Sequence, residues 1–348
     1  MRRRKLSWLP ALSGIAALAL SGLPAVAVAT PAATPHTAPA PADPAKIDDP
    51  AQVLAPGWQS ARDRAVSTIG DANGLNVLVA DSASAYQWHT AASLSEPGFD
   101  TPQWIGQDCV TGSGNYAAVV YAPWSFSNNT DESEHGAFAA IVNLNTGAVD
   151  KLPLSVSLSY YSPGCGTGDQ VALSALNADG NTTTTALDVV NAATGALVQQ
   201  SSVPGQVTSP VPYQGGVAAA LGDSVISIGG TGKVTPLAAV GGVALRLHPD
   251  SQGGLAFEVP VAGNQVQVRR IANGKSALVG TAGLGQVEVQ GSAGKVFLTG
   301  PQAAKINLGA HPAGGCPGLL DQVILATLPR NPGFSCPVDR KEKHHCPG

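Results

Sequence analysis

Two aspartates are the first residues whose position suggests chemistry. Asp108 and Asp169 each stand within a few residues of a glycine turn, Gly112-Ser113-Gly114 for the first and Gly166-Thr167-Gly168 for the second. Carboxylates brought to one polar channel could cleave a glycan by general acid–base catalysis. Trp58, Trp88, Trp104 and Trp124 could offer stacking faces to a sugar, with Trp104 and Trp124 near Asp108 in sequence. Large aromatics are more often core residues, so burial competes with that role. The run Asn128-Asn129-Thr130-Asp131-Glu132-Ser133-Glu134-His135 gathers oxygen ligands of the kind calcium takes. It has Glu134 where a calcium loop starting at Asn129 needs its glycine, so it reads as a solvated loop between strands. Cys336, His344, His345 and Cys346 have no standard zinc spacing. Gly274-Lys275-Ser276 lacks the upstream glycine of a phosphate loop, and Gly112-Ser113-Gly114 leads into a strand-like run where a dinucleotide site needs a helix. No catalytic set, metal site or cofactor is expected from these residues.

The elements that must position them repeat along the chain. A glycine turn followed by an apolar run recurs at Gly74, Gly114, Gly168, Gly216, Gly254 and Gly294, at spacings of 40, 54, 48, 38 and 40 residues. Each run is short and bounded by turn residues, which suits a strand buried on both faces. Second strands such as Phe138–Leu144 and Ala186–Val190 lead into further turns, Asn145-Thr146-Gly147 and Ala193-Thr194-Gly195. A unit of about forty residues with up to four strands is the pattern of a propeller blade. The chain is therefore expected to be all-β, a β-propeller of about six blades of the WD40 or quinoprotein-like kind, its last blade incomplete.

The repeat also predicts a covalent tie. Cys109 lies five residues before Gly114, and Cys165 three before Gly168. Those are comparable places in the innermost strands of consecutive blades, which converge on the axis. A Cys109–Cys165 disulfide is expected, with the pairing of Cys316, Cys336 and Cys346 left open.

The ends of the chain speak to compartment. Arg2-Arg3-Arg4-Lys5, an uncharged apolar stretch and Ala25-Val26-Ala27-Val28-Ala29 form a secretory signal over residues 1–29, with the mature chain starting near Thr30. Residues 30–56, rich in Ala, Pro and Thr, read as a disordered linker. The propeller is expected over 57–308 and an irregular Cys- and His-bearing tail over 309–348. A net charge of −4 and 12% charged residues give no reason to propose nucleic acid or a membrane as partner.

The segment Ala91-Ala92-Ser93-Leu94-Ser95-Glu96-Pro97-Gly98-Phe99-Asp100-Thr101-Pro102-Gln103-Trp104-Ile105-Gly106, with Cys109–Gly114, Val119–Pro123 and Pro163-Gly164-Cys165-Gly166, resembles the N-terminal propeller-like region of large secreted actinobacterial proteins of unassigned activity. The resemblance spans roughly residues 65–300. It implies a propeller fold and an extracellular location, and it carries no catalytic residue. The incomplete last blade leaves two readings open: the N-terminal segment supplies a closing strand, or this chain is a truncated version of a longer one. The resemblance favours truncation, because such proteins continue further. The function expected is that of a secreted, non-catalytic module, a monomer that binds an extracellular protein or glycan through its blade loops. The alternative is a glycan-active hydrolase or lyase with carboxylates at the propeller channel.

Overall fold

In the computed structural model, residues 49–54, 56–61, 64–178, 182–306 and 308 are described. Six antiparallel sheets follow one another along the chain, each strand beside its sequence neighbour. The first has three strands, β1 (Arg64–Gly70), β2 (Leu75–Asp81) and β3 (His89–Leu94). Four sheets of four strands follow. They are β4 (Trp104–Val110), β5 (Tyr116–Pro123), β6 (Ala137–Asn143) and β7 (Val149–Val156); then β8 (Gly164–Cys165), β9 (Gln170–Ala178), β10 (Thr183–Asn191) and β11 (Leu197–Pro204). Next come β12 (Val207–Tyr213), β13 (Gly216–Leu221), β14 (Ser224–Ile228) and β15 (Val234–Ala239), then β16 (Leu245–Pro249), β17 (Leu255–Val261), β18 (Gln265–Ala272) and β19 (Lys275–Gly283). The last sheet is the hairpin β20 (Glu288–Ser292) and β21 (Lys295–Thr299).

The repeat glycines lie in, or at the edge of, the turn between the first two strands of each sheet. The Asn-x-x-Thr-Gly turns are built by their own side chains. Asn143 Oδ1 accepts the N–H groups of Asn145 and Thr146, while Gly147 takes φ 74°; Asn191 Oδ1 accepts Ala193 N–H, and Gly195 takes φ 69°. Between neighbouring sheets the Val-, Ala- and Leu-rich faces meet as buried clusters, such as Ala118, Val120 and Ile141 against Val171 and Leu173. Small side chains let sheets that are apolar on both faces stack closely.

Five inner strands surround one axis. Gly112 N–H, just beyond β4, donates to Gly168 O in the turn after β8 (2.8 Å). Gly164 of β8 approaches β12 so closely that a Cβ would collide with Pro210 O. Arg246 N–H of β16 donates to Ser209 Oγ of β12 (2.9 Å). Gly291 of β20 lies against the His248 ring of β16, and the Gly294 turn comes back to the carbonyls of Thr167 and Gly112, closing the ring. The protein is a β-propeller with five blades around its axis.

The first sheet stands outside that inner ring. Its β1 runs opposite to β4: Arg64 donates to Gly114 O near the end of β4, whereas Trp104 N–H at the start of β4 donates to Asp71 O. Gly70 meets the Trp104 carbonyl with no room for a side chain. The expected tally of about six thus holds for sheets, and the last sheet is short as expected. What the spacing could not show is direction, because the Gly74 turn sits at the opposite end from its five counterparts.

Two further boundaries differ from expectation. Ordered packing begins before Gly57, since Leu54 is buried with Ala65, Tyr86 and Trp88. The segment read as a solvated loop carries a short helix, Thr130–His135, capped by Asn129 Oδ1 accepting Glu132 N–H. The signal region, most of the linker, and the tail with Cys316, Cys336 and Cys346 lie outside the described residues.

Candidate functional site

The end of the ring where the inner strands begin is called here the upper face. Arg246 occupies a bulge in β16, at the register shift between Leu245 and His248, with φ 51°. Ser209 occupies the matching bulge of β12, between Thr208 and Val211, also at φ 51°. Tyr160 and Tyr161, just ahead of β8, take φ 63° and 57°. Left-handed backbone at bulky residues costs of order 1–3 kcal/mol each and gathers where a structure holds a functional surface.

The Arg246 guanidinium lies 5.1 Å from the centre of the Tyr161 ring. Their sheets are separated by the β12–β15 sheet, so this contact spans the axis and sets Arg246 over its mouth. Arg246 Nη1 pairs with Glu258 Oε2 of β17 (3.0 Å), and Nη2 with Glu288 Oε1 of β20 (3.2 Å). Glu258 is 4% exposed at its side chain, and its other oxygen accepts Val289 N–H (2.7 Å). Loss of hydration pushes the Glu258 carboxyl upward, and the charge of Glu288 adds to that; Val289 N–H and Arg246 pull it back only in part. His248, behind the cluster, is pushed down to about 4 by loss of hydration and by Arg246, and is neutral at pH 7.

Two carboxylates do meet at the mouth, and one guanidinium is shared between them. Two cavities lie away from them. One of about 70 Å³ lies beside Asp250, Arg270 and Lys295, and one of about 400 Å³ lies along Gln170, Gln199 and Gln200. Both are at the lower end. The arrangement is a braced polar plug, suited to holding a surface together.

The sequence reading missed this cluster. Its one available signal was a lone charge inside each apolar run, Leu245-Arg246-Leu247 and Phe257-Glu258-Val259, because a charge in a buried strand needs a partner.

The expected site residues are distributed differently. Cys109 and Cys165 are joined, with Cα atoms 5.7 Å apart, tying β4 to β8. Trp104 is 2% exposed and packs edge-on against Phe99 and tilted against Tyr121. It is a core residue with no face left for a sugar, and so is Trp88. Trp124 is 49% exposed on the upper face. Asp169 lies in the lower turn after β8, its carbonyl accepting Ala192 N–H and its buried Oδ1 accepting no bond. Asp108 faces β1, where the Thr68 hydroxyl donates to it. The two aspartates do not form one site, and neither belongs to the mouth.

Loss of hydration between β4 and β1 raises the Asp108 pKa to about 6, against a smaller lowering by Thr68. A raised carboxyl stabilises the fold below its ordinary pKa, and that stability is lost as pH rises through about 6. Asp108→Asn keeps an oxygen for Thr68 and loses the charge. It is expected to stabilise the protein by roughly 1–3 kcal/mol at pH 7 and to leave it unchanged near pH 4. Urea unfolding at the two pH values checks this, and equal effects at both would refute it.

Exposed apolar side chains also have a pattern. Among the described residues ten large ones stand well exposed, and six of these, Ile69, Phe99, Trp124, Tyr161, Val243 and Leu284, sit on the upper face. Ile69 lies at the end of β1 beside Trp104, and the others lie in connections next to Trp104 or leading into an inner strand. The other four are scattered on the outer strands β7, β11 and β19. Scattered residues need no explanation, whereas six gathered at one end make that end a candidate contact surface.

No family model and no curated protein matches the sequence. Among solved structures, TolB from Acinetobacter baumannii is similar at 16% identity and a TM-score of 0.46, over 71% of this chain and 63% of that one. The acylaminoacyl peptidase of Pyrococcus horikoshii is similar at 12% identity and a TM-score of 0.42, over 68% of this chain and 41% of that one. The chain thus spans less than two thirds of either. Likeness at this level says nothing of activity, and the propeller assignment stands on the sheet arrangement described above.

Proposed function

We propose that this protein is a binding or scaffolding propeller that holds an extracellular partner on its upper face. The observation that carries this reading is the rim of exposed apolar side chains around the mouth braced by Arg246. Rigid sheets with variable connections at one end are suited to recognition. The Cys109–Cys165 bond fits an oxidising compartment, and the signal-like N-terminus supports export.

Trp124→Ala combined with Leu284→Asn alters two exposed positions and should leave the thermal midpoint within a few degrees. Across panels of immobilised extracellular proteins and glycans, every ligand of the parent protein is expected to bind this variant at least about tenfold more weakly. Unchanged binding of all of them would remove the upper face from consideration.

A further inference from the structure

Charge is divided unevenly between the two ends of the propeller. Asp100, Asp131, Glu132, Glu134 and Asp223 lie in connections of the upper face, and Glu288 opens β20 there. Among the described residues, the cations there are Arg246, already paired with Glu258 and Glu288, and the exposed Lys305, on a short helix whose preceding Gln302 N–H donates to Gln286 O in the connection that carries Leu284. Lys151, on an outer strand, reaches up to pair with Glu96 and to donate to Ser95 O. Lys233, Lys275 and Lys295 stand at turns of the lower end, and Arg64 is engaged there with Gly114 O and Asn145. Asp81, Asp150, Asp169 and Asp250 also lie at the lower end, so its charge is mixed, and the modest net charge conceals the acidity of the upper face.

The acids are interleaved with the apolar rim. Asp100 follows Phe99, and Asp131 and Glu132 open the helix that follows Trp124. The Asp223 carbonyl accepts Val240 N–H, at the root of the loop that carries Val243. Glu288 begins the strand after Leu284. Taking the upper face as the binding surface, we infer that its partner is a cationic protein segment in which lysine or arginine alternates with large apolar side chains.

Other occupants fit less well. The acids are spread over several sheets, and among the described residues no three His, Cys, Asp or Glu side chains come together to hold a metal ion. An anionic glycan or lipid surface would be repelled. Exposed ion pairs contribute little each, about 0.2–1 kcal/mol, so the acids steer and select while burial of the rim supplies affinity.

The test titrates the full chain into three labelled peptides of one length: alternating Leu–Lys, alternating Leu–Glu and alternating Ser–Lys, read by fluorescence anisotropy. The Leu–Lys peptide is expected to bind at least about tenfold tighter than either control, and to weaken several-fold between about 0.05 and 0.15 M salt. The combined Asp100→Asn, Asp131→Asn and Asp223→Asn variant, altered only at exposed side chains, should lose at least about fivefold. Equal binding of the Leu–Glu or Ser–Lys peptide, or no loss in the neutralised variant, overturns the inference. If Leu–Lys shows no preference while Trp124→Ala with Leu284→Asn still abolishes binding of some other ligand, the cationic partner falls and the upper face stands. If that variant retains every ligand, the binding face itself falls.

Discussion

Replacing Cys109 and Cys165 together with alanine is expected to lower stability by about 2–4 kcal/mol. The bond closes a loop of 56 residues of sequence separation, for which chain entropy allows about 4 kcal/mol at most. Both sulfurs lie in the apolar cluster between the β4 and β8 sheets, beside Ala118, Val171 and Leu173. Alanine avoids burying a hydroxyl there, so the loss reports the crosslink and a small cavity. Urea unfolding should show the midpoint falling by about 1 M or more. Unfolding the parent with and without reductant should show a matching difference. A change under about 1 kcal/mol in both comparisons would mean that the bond is incidental to the fold.

Arg246→Ala is expected to cost about 3–5 kcal/mol at pH 7. The variant strands Glu258, almost wholly buried, without its counter-charge. The carboxyl is already held above its ordinary range by burial, and losing Arg246 moves it further up. A group raised in this way favours the fold when protonated and opposes it once pH passes its folded pKa. The deficit should therefore be small near pH 4 and grow toward pH 7. Adding Glu258→Gln removes the charge and keeps an oxygen for Val289 N–H, so the double variant should regain most of the loss at pH 7. If Arg246→Ala is equally harmful at both pH values, or Glu258→Gln rescues nothing, the ion pair does not brace the mouth. The missing contact would then be the packing on Tyr161.

Local patterns made much of this fold legible. Glycine turns and short apolar runs mark strands wherever the chain occurs, so the six sheets and their order could be read directly. The Cys109–Cys165 bond was readable because the two residues hold equivalent places in consecutive repeats. The direction of the first sheet was not, since a turn glycine such as Gly74 does not reveal which end of the ring it faces. The cluster at the mouth was hidden for a related reason. Arg246, Glu258, Glu288 and Tyr161 come from four separate segments, and only closure of the ring brings them together. Trp104 and Trp124 show the limit of residue type as evidence. Twenty positions apart on the same hairpin, one is enclosed by Phe99 and Tyr121 and the other faces solvent.

The orientation of the first sheet bears on how the chain assembles. Strands β1–β3 lie against β4–β7, the next strands to be synthesised, and their contacts, such as Arg64 with Asn145 at 81 residues apart, become available early. Ring closure must wait until the Gly294 turn reaches the carbonyls of Gly112 and Thr167, which requires almost every strand to be present. Contacts so distant in sequence form slowly. An open, C-shaped intermediate is therefore expected, with blades stacked in order and the edges of β4 and β20 still apart. The same junction should be the first to part under stress. Amide exchange would be faster along β20–β21 than along β12–β13, whose strands are enclosed on both sides.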